Sequence, residues 1–257
     1  MLYFIKTWII ILWIFQYPKK TSTKEYQKCF SSLKHDQVEK ILKNTYLNFS
    51  HNFVELVSFP NSYKNIQIVV KGERILQSFL KQKKGIVFIT GHFGAWEILG
   101  QWVARKVPLF VGVAQKQKNK GAHNFFINQR ELAGTKHIIK GNSVKEMYKV
   151  LSNNGLLGLV SDQDAKSKGV FVDFFGTPAS TPKGAALFHI NTKAPLLLGV
   201  CFKENFKKYH IHFKAINTKN RNLKEITQEY TSQLESYIKQ YPDQYFWFHR
   251  RWKTKKT

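Results

Sequence analysis

The chain reads as a single α/β domain whose central sheet is largely parallel or mixed and is flanked by helices. Three observations lead there. Short apolar, β-branched runs such as Gly85–Thr90, Pro108–Val113 and Leu156–Val160 alternate with stretches of helical period, the pattern of strands joined by crossover helices. Polar and acidic residues follow the ends of those runs, as at His92 and at Ser161-Asp162-Gln163-Asp164, and open α/β sheets keep ligands at the carboxyl ends of their strands. Finally, no repeat and no Gly/Ser- or Pro-rich linker divides the 257 residues, which suit one large domain.

In chain order, Leu2 to Tyr17 (LYFIKTWIIILWIFQY) is almost wholly apolar and aromatic, with Lys19 and Lys20 behind it. A full crossing needs about 20 apolar residues, so residues 1–20 are expected to form a short or tilted membrane-contacting helix. The run lacks the charged start and small-residue cleavage site of a secretory signal. Residues 21–257 then form the domain. Tyr26 to Phe59 carries apolar positions at three- and four-residue spacing and reads as a helical lead-in. Ile66–Val70 is expected as a strand, Gly72–Gln82 as a helix, Gly85–Thr90 as a buried strand, and a helix opens near Phe93 to Ala95. Pro108–Val113 reads as the next strand, Ala122–Ala133 as a helix, Thr135–Ile139 as a strand, Ser143–Asn153 as a helix and Leu156–Val160 as a strand. Gly169–Thr181 reads as a loop with Gly/Pro punctuation, whose aromatic side chains line a pocket or join the core. Lys183–Ile190 is expected as a helix, Pro195–Phe202 and Tyr209–Ala215 as strands, and Lys224–Gln240 as a last amphipathic helix.

The candidate chemistry centres on His92-Phe-Gly-Ala-Trp-Glu97. A histidine on the turn after a strand and a carboxylate in the first helical turn can approach each other. Glu97 is therefore expected to fix the tautomer of His92, which then takes a proton from an attacking hydroxyl. Amides at the helix start can meet a developing negative charge. The bland alternative is a pair that only caps a helix. A parallel sheet would bring Asp162 to the same rim as His92.

The formal charge is +25, from 41 Lys+Arg against 16 Asp+Glu, and calls for an anionic partner: a nucleic acid, an acidic membrane surface or an acidic protein. No nucleic-acid-binding motif accompanies it, and the apolar N-terminus argues for the membrane. Lys116 to Lys145 is a basic segment holding Arg130, which is either a solvated face or an anion-binding one. Cys29 and Cys201 stand far apart in no metal-ligand spacing, so neither a disulfide framework nor a zinc site is indicated, and a reducing compartment fits. His210-x-His212 faces one side of a strand with no third ligand near it.

Four stretches together resemble the lipid A biosynthesis lauroyl/myristoyl acyltransferase family, over roughly Tyr26 to Lys253. They are His92–Glu97; Asn128-Gln-Arg130; Asp162-Gln163 with Gly169–Thr181; and the ending Tyr241-Pro-Asp-Gln-Tyr-Phe-Trp-Phe-His-Arg-Arg-Trp-Lys253. The resemblance implies a glycerolipid-acyltransferase-like fold. It implies an enzyme that moves a fatty acyl chain from acyl carrier protein to a hydroxyl of a membrane-embedded lipid A precursor or related glycolipid, at the cytoplasmic face of the inner membrane. His92 and Glu97 would be its catalytic pair, Arg130, Asp162, Gln163, Gly176 and Thr181 would contact substrate, and no cofactor or metal would be needed. A thioester is already activated, so no serine or cysteine nucleophile is required. A glycerolipid acyltransferase sharing an H-x4-D motif is the nearest alternative; Glu97 and the Tyr241–Lys253 ending favour the lipid A family. His189 departs from the family pattern, falling in a helix where small residues are expected.

Overall fold

The computed structural model describes residues 19–30, 33–139, 141 and 144–256. The apolar run Leu2–Tyr17 lies outside the described residues, and no described helix is long and apolar enough to cross a membrane. The first helices are α1 (Lys19–Cys29), α2 (His35–Val57) and α3 (Asn61–Lys64), followed by β1 (Gln67–Lys71), α4 (Glu73–Lys81), β2 (Ile86–Thr90) and α5 (Trp96–Lys106). Then come β3 (Phe110–Ala114), α6 (Lys120–Glu131), β4 (Lys136–Ile139), α7 (Val144–Ser152) and β5 (Leu156–Val160). The chain closes with β6 (Val170–Phe174), β7 (Thr177–Thr181), α8 (Gly184–Thr192), β8 (Leu196–Asn205), β9 (Lys208–Ala215) and α9 (Leu223–Gln240).

Seven strands form one sheet in the order β1-β9-β8-β2-β5-β3-β4, and β6 and β7 form a separate pair. Every pairing in the large sheet is parallel except β8 with β9. Strands β2, β3, β4, β5 and β8 therefore end on one rim. The chain leaves β2 toward β3 and β4 on one side and later fills β8 on the other, so the crevice at the carboxyl end of β2 lies where the winding changes direction, the usual ligand position of an open α/β sheet.

Period-two side-chain alternation along buried strands divides the core between the two faces of the sheet. Val87, Ile89, Leu196, Leu198 and Val200 pack with Tyr26 of α1, Ala185 of α8 and Leu234 and Ile238 of α9. Ile86, Phe88, Leu197 and Cys201 face the other way, onto Leu76 of α4 and Ile98, Leu99, Trp102 and Val103 of α5. Each of these aliphatic side chains is essentially closed to solvent, so truncating one such as Ile98 to alanine should cost ~2–5 kcal/mol.

Two expectations need correction. The helical lead-in is two helices, α1 ending at Cys29 and α2 starting at His35. Gly169–Thr181 is not a loop but a hairpin, β6 paired antiparallel with β7 and turned at Phe175 and Gly176, both of positive φ. A primed two-residue turn demands that geometry. Beyond α9, residues 241–254 run back over the rim of the sheet: Gln244 O accepts from Gly94 N at 2.7 Å, and Phe246 N donates to His92 O at 3.0 Å.

Candidate active site

Strand β2 ends at Thr90, and the next residues turn sharply into α5. Two glycines make the turn possible. A Cβ at Gly91 would stand 2.7 Å from Leu234 Cδ2 and 3.3 Å from the carboxyl carbon of Asp162. Gly94 has φ +57°, and a Cβ there would lie 1.9 Å from the Cys201 carbonyl oxygen, so only glycine lets the turn press against β8. Asn52 of α2 donates from its side-chain amide to Gly94 O, closing the turn from the other side.

The register of β2 on β5 decides what His92 touches. Thr90 pairs with Val160, and Ser161 N donates to Thr90 O at 2.9 Å. His92 and Asp162 each lie two residues beyond that last pair, so two parallel strands deliver an imidazole and a carboxylate side by side. His92 Nδ1 is 2.9 Å from Asp162 Oδ1, and the His92 amide donates to Asp162 Oδ2, also at 2.9 Å. An ionised carboxylate only accepts, so Nδ1 carries the proton and Nε2 keeps its lone pair. The His92 side chain is 27% exposed and the Asp162 side chain 2%; Nε2 has no hydrogen-bond partner among the described residues. Trp96 presents its ring to His92 with centroids 5.5 Å apart, and Phe246 does so at 5.7 Å, walling the imidazole with apolar surface.

Charge follows from this packing. Burial acts to lower the His92 imidazole, but the Asp162 charge, its hydrogen bond and the nearby Glu97 outweigh it and raise His92 above the ordinary value. Burial acts to raise Asp162, and the His92 charge with its two hydrogen bonds overrides that and holds the carboxyl below the usual range. The pair is thus matched to carry a proton transiently on the imidazole.

Glu97, expected to orient His92, is bonded elsewhere. Its carboxylate accepts from Arg130 Nε at 3.0 Å and Nη2 at 2.7 Å, a bidentate pair, and from Trp96 Nε1 at 3.1 Å. The contact predicted for Glu97 is made by Asp162, because the helix that starts at Trp96 turns Glu97 toward α6. Glu97 still bears on His92 through its charge. The Arg130 side chain is 31% exposed, leaving one edge of the guanidinium open. Beside them His137 is pushed down to about 4, first by burial and then by Arg130, and stays neutral near neutral pH.

The other sequence-predicted residues are spread more widely. Gln163 follows Asp162 on the same rim loop, half-buried. Gly176 is the exposed turn of the β6–β7 hairpin, its amide donating to Asp173 Oδ1 at 3.0 Å. Thr181 is fully buried, donates to Ala179 O at 3.0 Å and accepts from Arg251 Nη2. Arg251, itself buried, also donates to Ser180 O at 2.7 Å. His189, without a role in the sequence, donates from Nδ1 to Ala194 O at 2.8 Å and ties off the end of α8.

Sequence reasoning gave no role to His249, which the structure places at this rim. Its Nε2 accepts from Asp164 N at 3.0 Å, and Thr254 Oγ1 donates to Asp164 Oδ2 at 2.9 Å. Burial holds the His249 imidazole below its ordinary value, so Nε2 remains available to accept. The C-terminal segment in this way pins the loop that carries Asp162. Its place within Trp247-Phe-His-Arg-Arg-Trp252 was the available signal.

Residues 11–254 match the family described as bacterial lipid A biosynthesis acyltransferase. The chain belongs to that family. Among curated relatives, a phosphatidylinositol mannoside acyltransferase of Mycobacterium tuberculosis (strain ATCC 25618 / H37Rv) is 26% identical over 193 residues, 74% of this chain and 61% of the relative. A similar protein of Mycolicibacterium smegmatis, with the same name, is 26% identical over 181 residues, 69% of this chain and 60% of the relative. The lipid A biosynthesis palmitoleoyltransferase of Escherichia coli (strain K12) is 21% identical over 239 residues, 90% of this chain and 78% of the relative. The chain thus spans about three-fifths of the length of the mycobacterial relatives. Family membership covers β2, the His92 turn, α6 and the C-terminal segment together.

Proposed function

We propose that this protein is an acyltransferase that moves a fatty acyl chain from a thioester donor to a hydroxyl of a glycolipid. The observation that carries the reading is the His92–Asp162 pair, with Nε2 open at the crevice of a chain whose relatives are named as phosphatidylinositol mannoside acyltransferase and lipid A biosynthesis palmitoleoyltransferase. In this mechanism His92 Nε2 takes the proton from the acceptor hydroxyl as its oxygen attacks the thioester carbonyl. Asp162 holds the tautomer and steadies the imidazolium. The tetrahedral oxyanion forms near the first turn of α5, whose leading amides have no acceptor within the helix. Collapse breaks the carbon–sulfur bond, and the thiolate leaves with the proton from Nε2. Glu97 is the second acidic member of the site: it orders Arg130 and adds its charge to His92. The open edge of Arg130 suits an acceptor phosphate, and Gln163 beside Asp162 suits a polar contact to the acceptor.

The donor is acyl carrier protein, an acidic protein suited to a chain of net charge +25, and the acceptor is a lipid A precursor or related glycolipid at the cytoplasmic side of the inner membrane. Mass spectrometry of lipid A and other glycolipids from cells with and without the gene tests the acceptor: loss of one acyl chain from a glycolipid is expected, and an unchanged glycolipid profile would contradict it. Purified enzyme given acyl carrier protein thioester or coenzyme A thioester tests the donor, with faster turnover expected from the former.

A further inference from the structure

The aromatic wall beside His92 continues outward. Trp96, next to the imidazole, stacks on Phe49 of α2 with centroids 6.3 Å apart. Phe53 lies one helical turn further along the same face of α2, and its ring meets Phe126 of α6 at 6.2 Å. Phe126 in turn meets Phe125 at 5.8 Å. The trail starts at the partly exposed His92 imidazole and ends in solvent: Phe53 is 50% exposed and Phe125 42%. Helix α6 contributes no buried residue at all, unusual for a helix carrying Phe-Phe-Ile at its centre, since such a segment ordinarily hides its apolar face.

The surroundings say what covers it. The segment leading into α6 leaves the carboxyl end of β3, on the same rim as His92; Lys116 and Lys118 stand on it and Lys120 opens the helix, all three exposed. Between Lys116 and Lys140 the sequence holds one acid, Glu131. Exposed rings rimmed by lysines match the boundary of an anionic bilayer, where aromatic side chains sit at headgroup depth and ammonium groups meet phosphates. Apolar patches of this kind mark interaction surfaces.

We propose that Phe53, Phe125 and Phe126, with Lys116, Lys118 and Lys120, form a face that docks on an anionic lipid surface, and that the aromatic trail from this face leads a lipid hydroxyl to His92. The second half rests on the acyltransferase reading; the docking itself does not.

The test uses the full chain with Phe125→Cys, labelled with an environment-sensitive dye in a Cys29→Ser background, and a control labelled at Lys84→Cys on the opposite rim, beside the start of β2. Vesicles of phosphatidylglycerol mixed with phosphatidylcholine should shift the emission at position 125 to the blue and raise it severalfold, leave position 84 unchanged, and act more weakly on a Lys116→Ser/Lys118→Ser/Lys120→Ser variant. A label at Lys118→Cys reports the same face should Phe125→Cys misfold. Emission unchanged at both 125 and 118 while the chain sediments with vesicles would overturn the docking face. A response to purified acyl carrier protein but not to vesicles would overturn the lipid assignment and give the face to a protein partner. Catalysis does not enter this readout: an intact dye response with full turnover in His92→Ala would sink the acyltransferase mechanism alone.

Discussion

His92 donates from Nδ1 to Asp162 at 2.9 Å, and His51 of α2 donates from Nδ1 to Glu55 at 2.7 Å. Taken as pairs they are alike, each a partly exposed imidazole against a carboxylate shut away from solvent. They differ in what else the carboxylate and ring meet. Glu55 also accepts from the Tyr209 hydroxyl of β9 and lies 3.7 Å from Lys203 Nζ of β8, whose side chain is 3% exposed. Lys203 Nζ donates further to Asn48 O of α2 at 3.1 Å. That cluster bolts α2 to the sheet, whereas the His92 pair spends its hydrogen bonds on one side of the ring and leaves Nε2 facing the crevice. The lesson is that a histidine–carboxylate contact is not itself a site. Position at the carboxyl end of a strand, with the free ring nitrogen facing the crevice, makes the difference.

The widest separation between the pairs should come from alanine. His92→Ala should lower kcat by ~10²–10⁴-fold, the usual share of a general base, with the far-ultraviolet spectrum unchanged, while His51→Ala should keep turnover within roughly twofold. A His92→Ala protein that is folded and fully active would remove the distinction.

Next is stability. Glu55→Gln removes one partner of a buried ion pair and should cost ~3–5 kcal/mol, read by denaturant midpoint, whereas Glu55→Leu with Lys203→Met should recover most of it. Burial acts to raise Glu55, but Lys203, His51 and Tyr209 bring it below the ordinary carboxylate value. Its contribution is therefore present above the unfolded carboxylate pKa and lost as pH falls through the lower folded one. Stability that stays flat below the ordinary carboxylate range would contradict that placement.

His249 gives the smallest of these effects. Removing the acceptor for Asp164 N should loosen the loop that holds Asp162, so His249→Ala should lower kcat by about tenfold and shift the pH profile toward lower pH. His249→Gln, whose amide oxygen can accept the same bond, should restore most of both. Restored turnover without a restored profile would show that His249 acts by another route.

Much of this is legible in the sequence. The strand Ile86–Thr90, the His92 turn, the helix after it and the shared rim of His92 and Asp162 all follow from apolar runs, glycines and the rule for parallel sheets. Which acid touches His92 did not follow, because it depends on the register of β2 on β5: a shift of one residue between Thr90 and Val160 would part the pair. Spacing along the chain favoured Glu97, but a helix carries that side chain around its axis to Arg130. The hairpin at Val170–Thr181 was hidden because its turn uses Phe175-Gly176 where Asn-Gly is the usual signal. The burial of Thr181 depends on Arg251, seventy residues away, a distance no local pattern spans.

The pH dependence of kcat/KM in wild type and Asp162→Asn measures directly whether Asp162 sets the proton affinity of His92. In wild type His92 must be neutral to act, and its folded pKa is raised by Asp162 and Glu97, so the rate should rise with pH through an apparent pKa above the ordinary ~6.5 of histidine. In Asp162→Asn the charge is gone while burial remains, so that pKa should fall below the wild-type value and the plateau should drop by about 10²-fold or more as the tautomer is lost. Superimposable profiles with equal plateaus for the two proteins would contradict the central claim.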